Sequence, residues 1–126
     1  LVSITAEPLT PTLGAATLIG GVGGAIVVFA VPFLDKIKID DVVSAIPVHL
    51  MAGIWGTLAV PLTNGDASFV TQITSILIVG VFTFVVSLIV WFAIDKIMGI
   101  RVSEEDELAG LDSAELGMDA YPEFSR

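Results

Sequence analysis

His49 is the residue with the clearest chemical potential, being the only histidine of the chain and lying in the uncharged apolar run 45–62. In a helix with about 100° per residue, Ala45, Gly53 and Gly56 fall on the same face as His49. A neutral imidazole offers one N–H donor and one lone pair, which suits guiding a small amine or passing its proton. Small neighbours leave room beside the ring for a second helix or for a permeating molecule. Both a packed ring and a pathway residue remain open at this point.

Other kinds of chemistry find little support in the residue types. The chain has no cysteine and one histidine, which excludes disulfides and thiolate metal sites and argues against structural zinc. The apolar segments carry no paired carboxylates and no nucleophile–base pair, so we expect neither an enzyme nor a bound cofactor or metal. Five basic residues in a chain of net charge −9 also oppose nucleic-acid binding.

The composition is that of a membrane protein. Hydrophobic residues make up 55% of the 126 residues, and the mean hydropathy is +0.94. The acidic charge is uneven, because eight of the fourteen acidic residues follow Arg101. The chain therefore divides into a membrane part, 1–101, and an acidic tail, 102–126.

Three uncharged or nearly uncharged stretches are long enough to cross a bilayer, about residues 14–34, 42–62 and 73–94. Two prolines interrupt residues 6–13, so residues 1–5 are interpreted as the end of a preceding helix. The pattern predicts an all-α, polytopic transmembrane helical bundle with three complete spans plus the end of a fourth. Within the first span, Gly20 and Gly24 form a G-x-x-x-G pair that favours close helix packing.

Two features mark the start of the second span. Asp40 or Asp41 is placed to cap its N-terminus, where a carboxylate accepts from free backbone N–H groups. Pro47 follows within two turns, and it either kinks the helix or indicates a later start.

The basic residues predict the orientation of the spans. Lys36 and Lys38 separate the first two spans, and Lys96 and Arg101 follow the third, whereas residues 6–13 and 63–72 contain no Lys or Arg. By the positive-inside rule, the 35–41 turn and the tail face the cytoplasm.

The tail has more structure than a solvated acidic end requires. Ser103 is placed to cap a short helix that ends at Gly110, and a second turn is expected from about Ser113 to Gly117. Apolar residues, which favour docking over disorder, recur along it: Leu108, Leu111, Leu116, Met118, Tyr121 and Phe124.

Three stretches together resemble the C-terminal part of the ammonium transporter family (Amt/Mep, with the Rhesus proteins as relatives). They are residues 38–49, residues 53–60, and residues 99–112 with 117–121. The resemblance implies the last three of eleven spans, a homotrimer in the cell membrane, and a narrow apolar pore for ammonium or ammonia in each subunit. It further implies that His49 is the second of two paired pore histidines.

The resemblance also gives the tail a regulatory role, in contact with other subunits and with a PII-type signalling protein. The tail positions concerned are Ser103, Leu108, Gly110, Leu111, Asp112, Gly117 and Tyr121. This chain departs from the family where it has Leu50 after the histidine and Leu116 before Gly117. The alternative function is a non-conducting helical scaffold or sensor subunit whose acidic tail recruits a cytosolic partner.

Overall fold

The computed structural model describes residues 1–119, 122 and 123, and the part of the chain so described is helical without strands. This confirms the predicted all-α fold. A 3₁₀ turn comes first, the histidine segment is a π-helix continuous with α2, and two short helices form the tail. In order, the elements are the 3₁₀ turn Val2–Ile4, α1 Leu13–Lys36, the π-helix Ile46–Met51, α2 Ala52–Thr63, α3 Phe69–Met98, α4 Glu104–Ala109 and α5 Leu111–Leu116. The chain divides into two compact units, Leu1–Phe82 and Thr83–Arg126.

Three of these helical stretches are long and apolar enough to cross a membrane: Leu13–Lys36, Ile46–Thr63 and Phe69–Met98. They correspond to the three spans expected from the sequence. The first and third extend beyond the apolar cores predicted for them, because polar and charged residues at their ends remain helical. The second begins at Ile46 and not at about Val42.

At both ends of α1, local hydrogen bonds pair backbone groups that the helix itself leaves unpaired. The Thr12 side chain accepts a hydrogen bond from the backbone N–H of Ala15 at 3.2 Å. At the other end Lys38 has a φ of 61°, and the N–H of Ile39 donates to the carbonyl of Leu34 at 3.0 Å. This is a Schellman closure with lysine where glycine is usual.

Asp41 explains why the second span begins later than expected. One carboxylate oxygen of Asp41 accepts from the N–H of Ala45 at 2.8 Å, and the other accepts from Ile46 at 2.7 Å. Ser44 has a φ of 56°, so the chain turns just before the helix. Of the two aspartates considered, Asp41 is thus the cap. The π-helix begins at Ile46, with Pro47 in its first turn where a missing N–H does little harm.

The first unit packs through small side chains. Ala52 is 3% exposed and Ala59 is 1% exposed, and these two residues of α2 lie against the 3₁₀ turn and α1. The indole N–H of Trp55 donates to the carbonyl of Ile19 at 2.9 Å, which ties α2 to α1. A close approach of this kind needs small residues, because backbones meet directly when no large side chain separates them.

The glycine that supports this approach is not one of the predicted pair. An added Cβ at Gly20 or Gly24 would have no other heavy atom of the described chain within 4 Å, apart from its own helix backbone. A Cβ at Gly23 would instead collide with the Ser3 side chain and would come within 3.7 Å of Trp55 Cδ1. Gly23 is therefore the packing glycine of α1.

In the second unit, the tail is ordered by short-range hydrogen bonds. The Ser103 hydroxyl accepts from the N–H of Asp106 at 3.1 Å, as predicted for the cap of α4. That helix ends at Gly110, which has a φ of 91°, and the next one begins at Leu111, two residues earlier than expected. Gly117 ends α5 in the left-handed conformation, with a φ of 65°. Tyr121 and Phe124 lie outside the described residues.

Candidate functional site

His49 lies in the middle of the π-helical turn that precedes α2. The N–H of Ala52 donates to the carbonyl of Pro47, five residues back, and also to that of His49. Bonds to the fifth preceding residue widen the backbone, and such turns are found mostly as short insertions, often at functional sites. The geometry presents the imidazole from a locally widened turn, whose start is held by the Asp41 cap.

On one side of this turn, His49 lines a groove of about 330 Å³ between the π/α2 helix and the first half of α3. The walls are largely apolar, and Gly53 and Gly80 contribute to them without side chains. Besides the imidazole, polar groups on the walls come from Thr57 and Ser75. The Thr57 hydroxyl donates to the carbonyl of Gly53 at 3.0 Å, so its lone pairs remain available to a ligand.

On the other side, His49 lines a second cavity of about 380 Å³ between the 3₁₀ turn, α1 and the π-helix. Gly20, Gly23, Gly24 and Val27 form its α1 wall, and Val48 and Ala52 flank the histidine. The two glycines of the predicted G-x-x-x-G pair thus border open space inside this cavity. His49 is shared by both cavities, so its turn separates two spaces that are large enough for small molecules.

The structure brings together only part of the predicted face. Gly53 lines the first cavity with His49, whereas Ala45 is exposed and borders neither. Gly56 is buried against the 3₁₀ turn, where an added Cβ would lie 2.5 Å from the carbonyl oxygen of Ser3. The reason is the π turn, because it shifts the angular register that a uniform 100° per residue assumes.

Three hydroxyl residues near the histidine were not singled out from the sequence. Ser3 contacts α2 from the 3₁₀ turn, while Thr57 and Ser75 line the groove. The available signal was that each is a polar residue within an apolar stretch. Leu50, which follows the histidine, also borders the groove and is 54% exposed.

The tail residues surround a separate polar groove in the second unit. Arg101, Glu104, Glu107 and Leu108 line a space of about 560 Å³, and Arg101 pairs with Glu107 at 2.7 Å. Of the predicted tail positions, Ser103 is a helix cap, Gly110 and Gly117 occupy positive-φ positions, and Asp112 lies in the first turn of α5 beside Gly110. The apolar side chains Leu108 and Leu111 are 83% and 42% exposed. Tyr121 is outside the described part of the chain.

The sequence is similar to those of known proteins. It matches the family described as the Ammonium Transporter Family over residues 1–121. Curated relatives include ammonium transporter Amt1 of Haloferax mediterranei, with 39% identity over 98% of this chain and 25% of that protein. Ammonium transporter Amt2 of Archaeoglobus fulgidus is 33% identical over 98% of this chain and 31% of its own length. Ammonium transporter Amt1 of Methanocaldococcus jannaschii is 37% identical over 86% of this chain and 30% of its own length.

The chain spans between a quarter and a third of the length of these relatives. The match over nearly all of the chain agrees with the three membrane-length helices, so the protein is integral to a membrane. Because the family match covers residues 1–121 and these relatives are 33–39% identical, the chain belongs to the ammonium transporter family.

Proposed function

We propose that these residues form the C-terminal part of a transporter that moves ammonium or ammonia across the cell membrane, and that His49 lines the substrate path. The observation that carries this proposal is the position of His49 between two cavities of about 330 and 380 Å³ in a membrane-length helix. Gly53 borders the first of them, and we retain it as a pathway residue. Ala45 and Gly56 border neither cavity.

The chemistry of the groove fits a small uncharged or transiently uncharged amine. Apolar walls disfavour hydrated ions, because an ion loses its hydration shell without gaining equivalent partners. An ammonium ion that transfers one proton to the imidazole lone pair becomes ammonia. The free-energy barrier for moving neutral ammonia between apolar walls is far smaller than that for the ion. The imidazole and the Thr57 and Ser75 hydroxyls supply the few polar contacts that such a pathway needs.

The orientation that we propose places the 35–41 turn and the 102–126 tail in the cytoplasm, with residues 1–101 forming the membrane part. The distribution of Lys and Arg supports it. A contact in the first unit adds support, since the Asn64 side chain donates to the Glu7 carboxylate at 2.8 Å. This joins the two connections that lack basic residues at one end of the helices.

The assembly and partners are proposed on the same basis. We infer a homotrimer in a lipid membrane and a PII-type signalling protein as the partner of the tail. Exposed apolar side chains on α4 and α5, above all Leu108 and Leu116, support a docking role for that segment. No observation favours the alternative of a non-conducting scaffold.

Replacement of His49 in the intact protein tests the pathway role. We expect His49→Asn and His49→Gln to assemble normally while changing flux, charge movement or selectivity between ammonium and potassium. Both amides keep hydrogen bonding, but neither accepts a proton near neutral pH. Flux and current in proteoliposomes are measured alongside the melting temperature of the same preparations. Wild-type transport by both variants, together with a lowered melting temperature, would assign His49 to packing alone.

A further inference from the structure

Ser3 occupies an unusual position for a polar residue. It is 4% exposed and is the one polar residue that is buried within the part of the chain that the structure describes. Its hydroxyl donates to the backbone carbonyl of Ala52 at 3.2 Å, across 49 positions of sequence. A buried hydroxyl needs such a partner, because an unsatisfied one destabilises the fold.

Two glycines on facing helices enclose Ser3. A Cβ added at Gly56 of α2 would lie 2.5 Å from the Ser3 carbonyl oxygen and 2.7 Å from its Cα. A Cβ added at Gly23 of α1 would overlap the Ser3 side chain itself. The 3₁₀ turn is therefore seated in a notch that exists only because both positions lack a side chain.

This notch lies directly beside the histidine turn. Ala52, which accepts the Ser3 hydrogen bond, is the first residue of α2, and its own N–H donates to the carbonyl of His49. Trp55 adds a second attachment one turn later through the carbonyl of Ile19. The π turn is consequently held at its start by Asp41 and at its end by contacts with the 3₁₀ turn and α1.

We propose that Ser3 is a positioning residue for His49: its hydroxyl holds the Ala52 carbonyl and so maintains the π-helical turn that places the imidazole between the two cavities. Hydrogen bonds in a π turn reach the fifth preceding residue and those in an α-helix the fourth, so relaxation to α geometry would rotate the ring relative to both cavities. Sites depend on such supporting contacts, since a displacement of about 1 Å can cost two orders of magnitude in rate. The role in transport rests on the function proposed above.

The test compares Ser3→Ala with Thr17→Ala in the intact protein. Thr17 also donates its hydroxyl to a backbone carbonyl, that of Leu13 at 2.8 Å, but it does so within its own helix and on an exposed surface. The imidazole nitrogens of His49 are observed by NMR in protein labelled at histidine, and His49→Asn identifies their signals. Ammonium flux in proteoliposomes and the melting temperature are measured on the same samples.

We expect Ser3→Ala to shift the imidazole nitrogen resonances by more than their linewidth and to reduce flux roughly 3- to 10-fold, the effect of one lost hydrogen bond. Thr17→Ala should leave both at wild-type values. A lowered melting temperature with unchanged imidazole signals would overturn the proposal, because Ser3 would then serve packing only. If His49→Asn leaves transport unaffected, the pathway role proposed for His49 fails. The imidazole signals of Ser3→Ala still show whether Ser3 positions the ring.

Ser3→Thr provides a second route if Ser3→Ala does not assemble. Threonine retains the hydroxyl that donates to the Ala52 carbonyl, and Ser3 borders the cavity beside α1. We expect its imidazole signals to stay close to those of the wild type. If Ser3→Thr assembles normally but its imidazole signals are displaced, the hydroxyl is not what positions the His49 ring, and the proposal is wrong.

Discussion

The glycine notch makes a prediction in which two chemically identical substitutions have opposite effects. Gly56→Ala in α2 and Gly21→Ala in α1 each add one methyl group to the interior of a helix. At Gly56 the new carbon would lie 2.5, 2.7 and 2.8 Å from the O, Cα and C atoms of Ser3, all of them backbone. At Gly21 no heavy atom of the described residues lies within 4 Å, apart from the surrounding backbone of its own helix.

The expected magnitudes follow from two opposing contributions. Alanine improves on glycine in a helix interior by roughly 0.8–1.0 kcal/mol. Forcing a methyl group into a filled site costs about 1–3 kcal/mol, and the cost lies towards the upper end when the opposing atoms are backbone. Gly56→Ala should therefore lower the free energy of unfolding by about 1–2 kcal/mol, whereas Gly21→Ala should raise it by up to about 1 kcal/mol.

Unfolding of the purified protein by a denaturing detergent in mixed micelles measures both variants. Trp55 is a local reporter, since its Cδ1 atom lies 3.7 Å from the Cβ position of Gly23 in the same notch. Its fluorescence should change at a lower detergent fraction in Gly56→Ala than in the wild type. A Gly56→Ala variant as stable as Gly21→Ala would refute the close contact between the 3₁₀ turn and α2.

Three further predictions concern the connections between the spans and the tail. Cysteines introduced at Asp66 and at Glu115 should react with an impermeant thiol reagent from opposite sides of the membrane; labelling of both from one side would contradict the orientation. The hydrogen bond from Asn64 lowers the pKa of the Glu7 carboxyl in the folded protein, as does the N–H of Leu9 to a smaller extent. A lowered folded-state pKa stabilises the protein above the unfolded pKa, and this contribution is lost as pH falls through the folded value. The stability difference between wild type and Asn64→Ala should therefore shrink on acidification through the carboxyl range, and a difference that grows there would exclude this contact. Deletion of residues 103–126 should alter transport or abolish binding of a cytosolic partner, and unchanged rate and regulation would show that the tail is a solvated end.

The sequence by itself determined the features that depend on composition and on nearest neighbours. Three apolar stretches without charges require helices of membrane length, because a bilayer offers no partners for unpaired backbone groups. The cap at Ser103 and the end of α4 at Gly110 also follow from residue type, since each involves atoms only a few positions apart.

The tertiary structure alone decided how His49 is held. A π turn of six residues has nearly the same hydrophobic pattern as an α-helix, so the sequence could not show that Gly56 would leave the face of His49. The burial of Ser3 depends on a hydrogen bond to a residue 49 positions away, and the choice of Gly23 over Gly20 and Gly24 depends on where that serine lies. Backbone carbonyls are alike in every sequence, and only the packed fold determines which one a distant hydroxyl reaches.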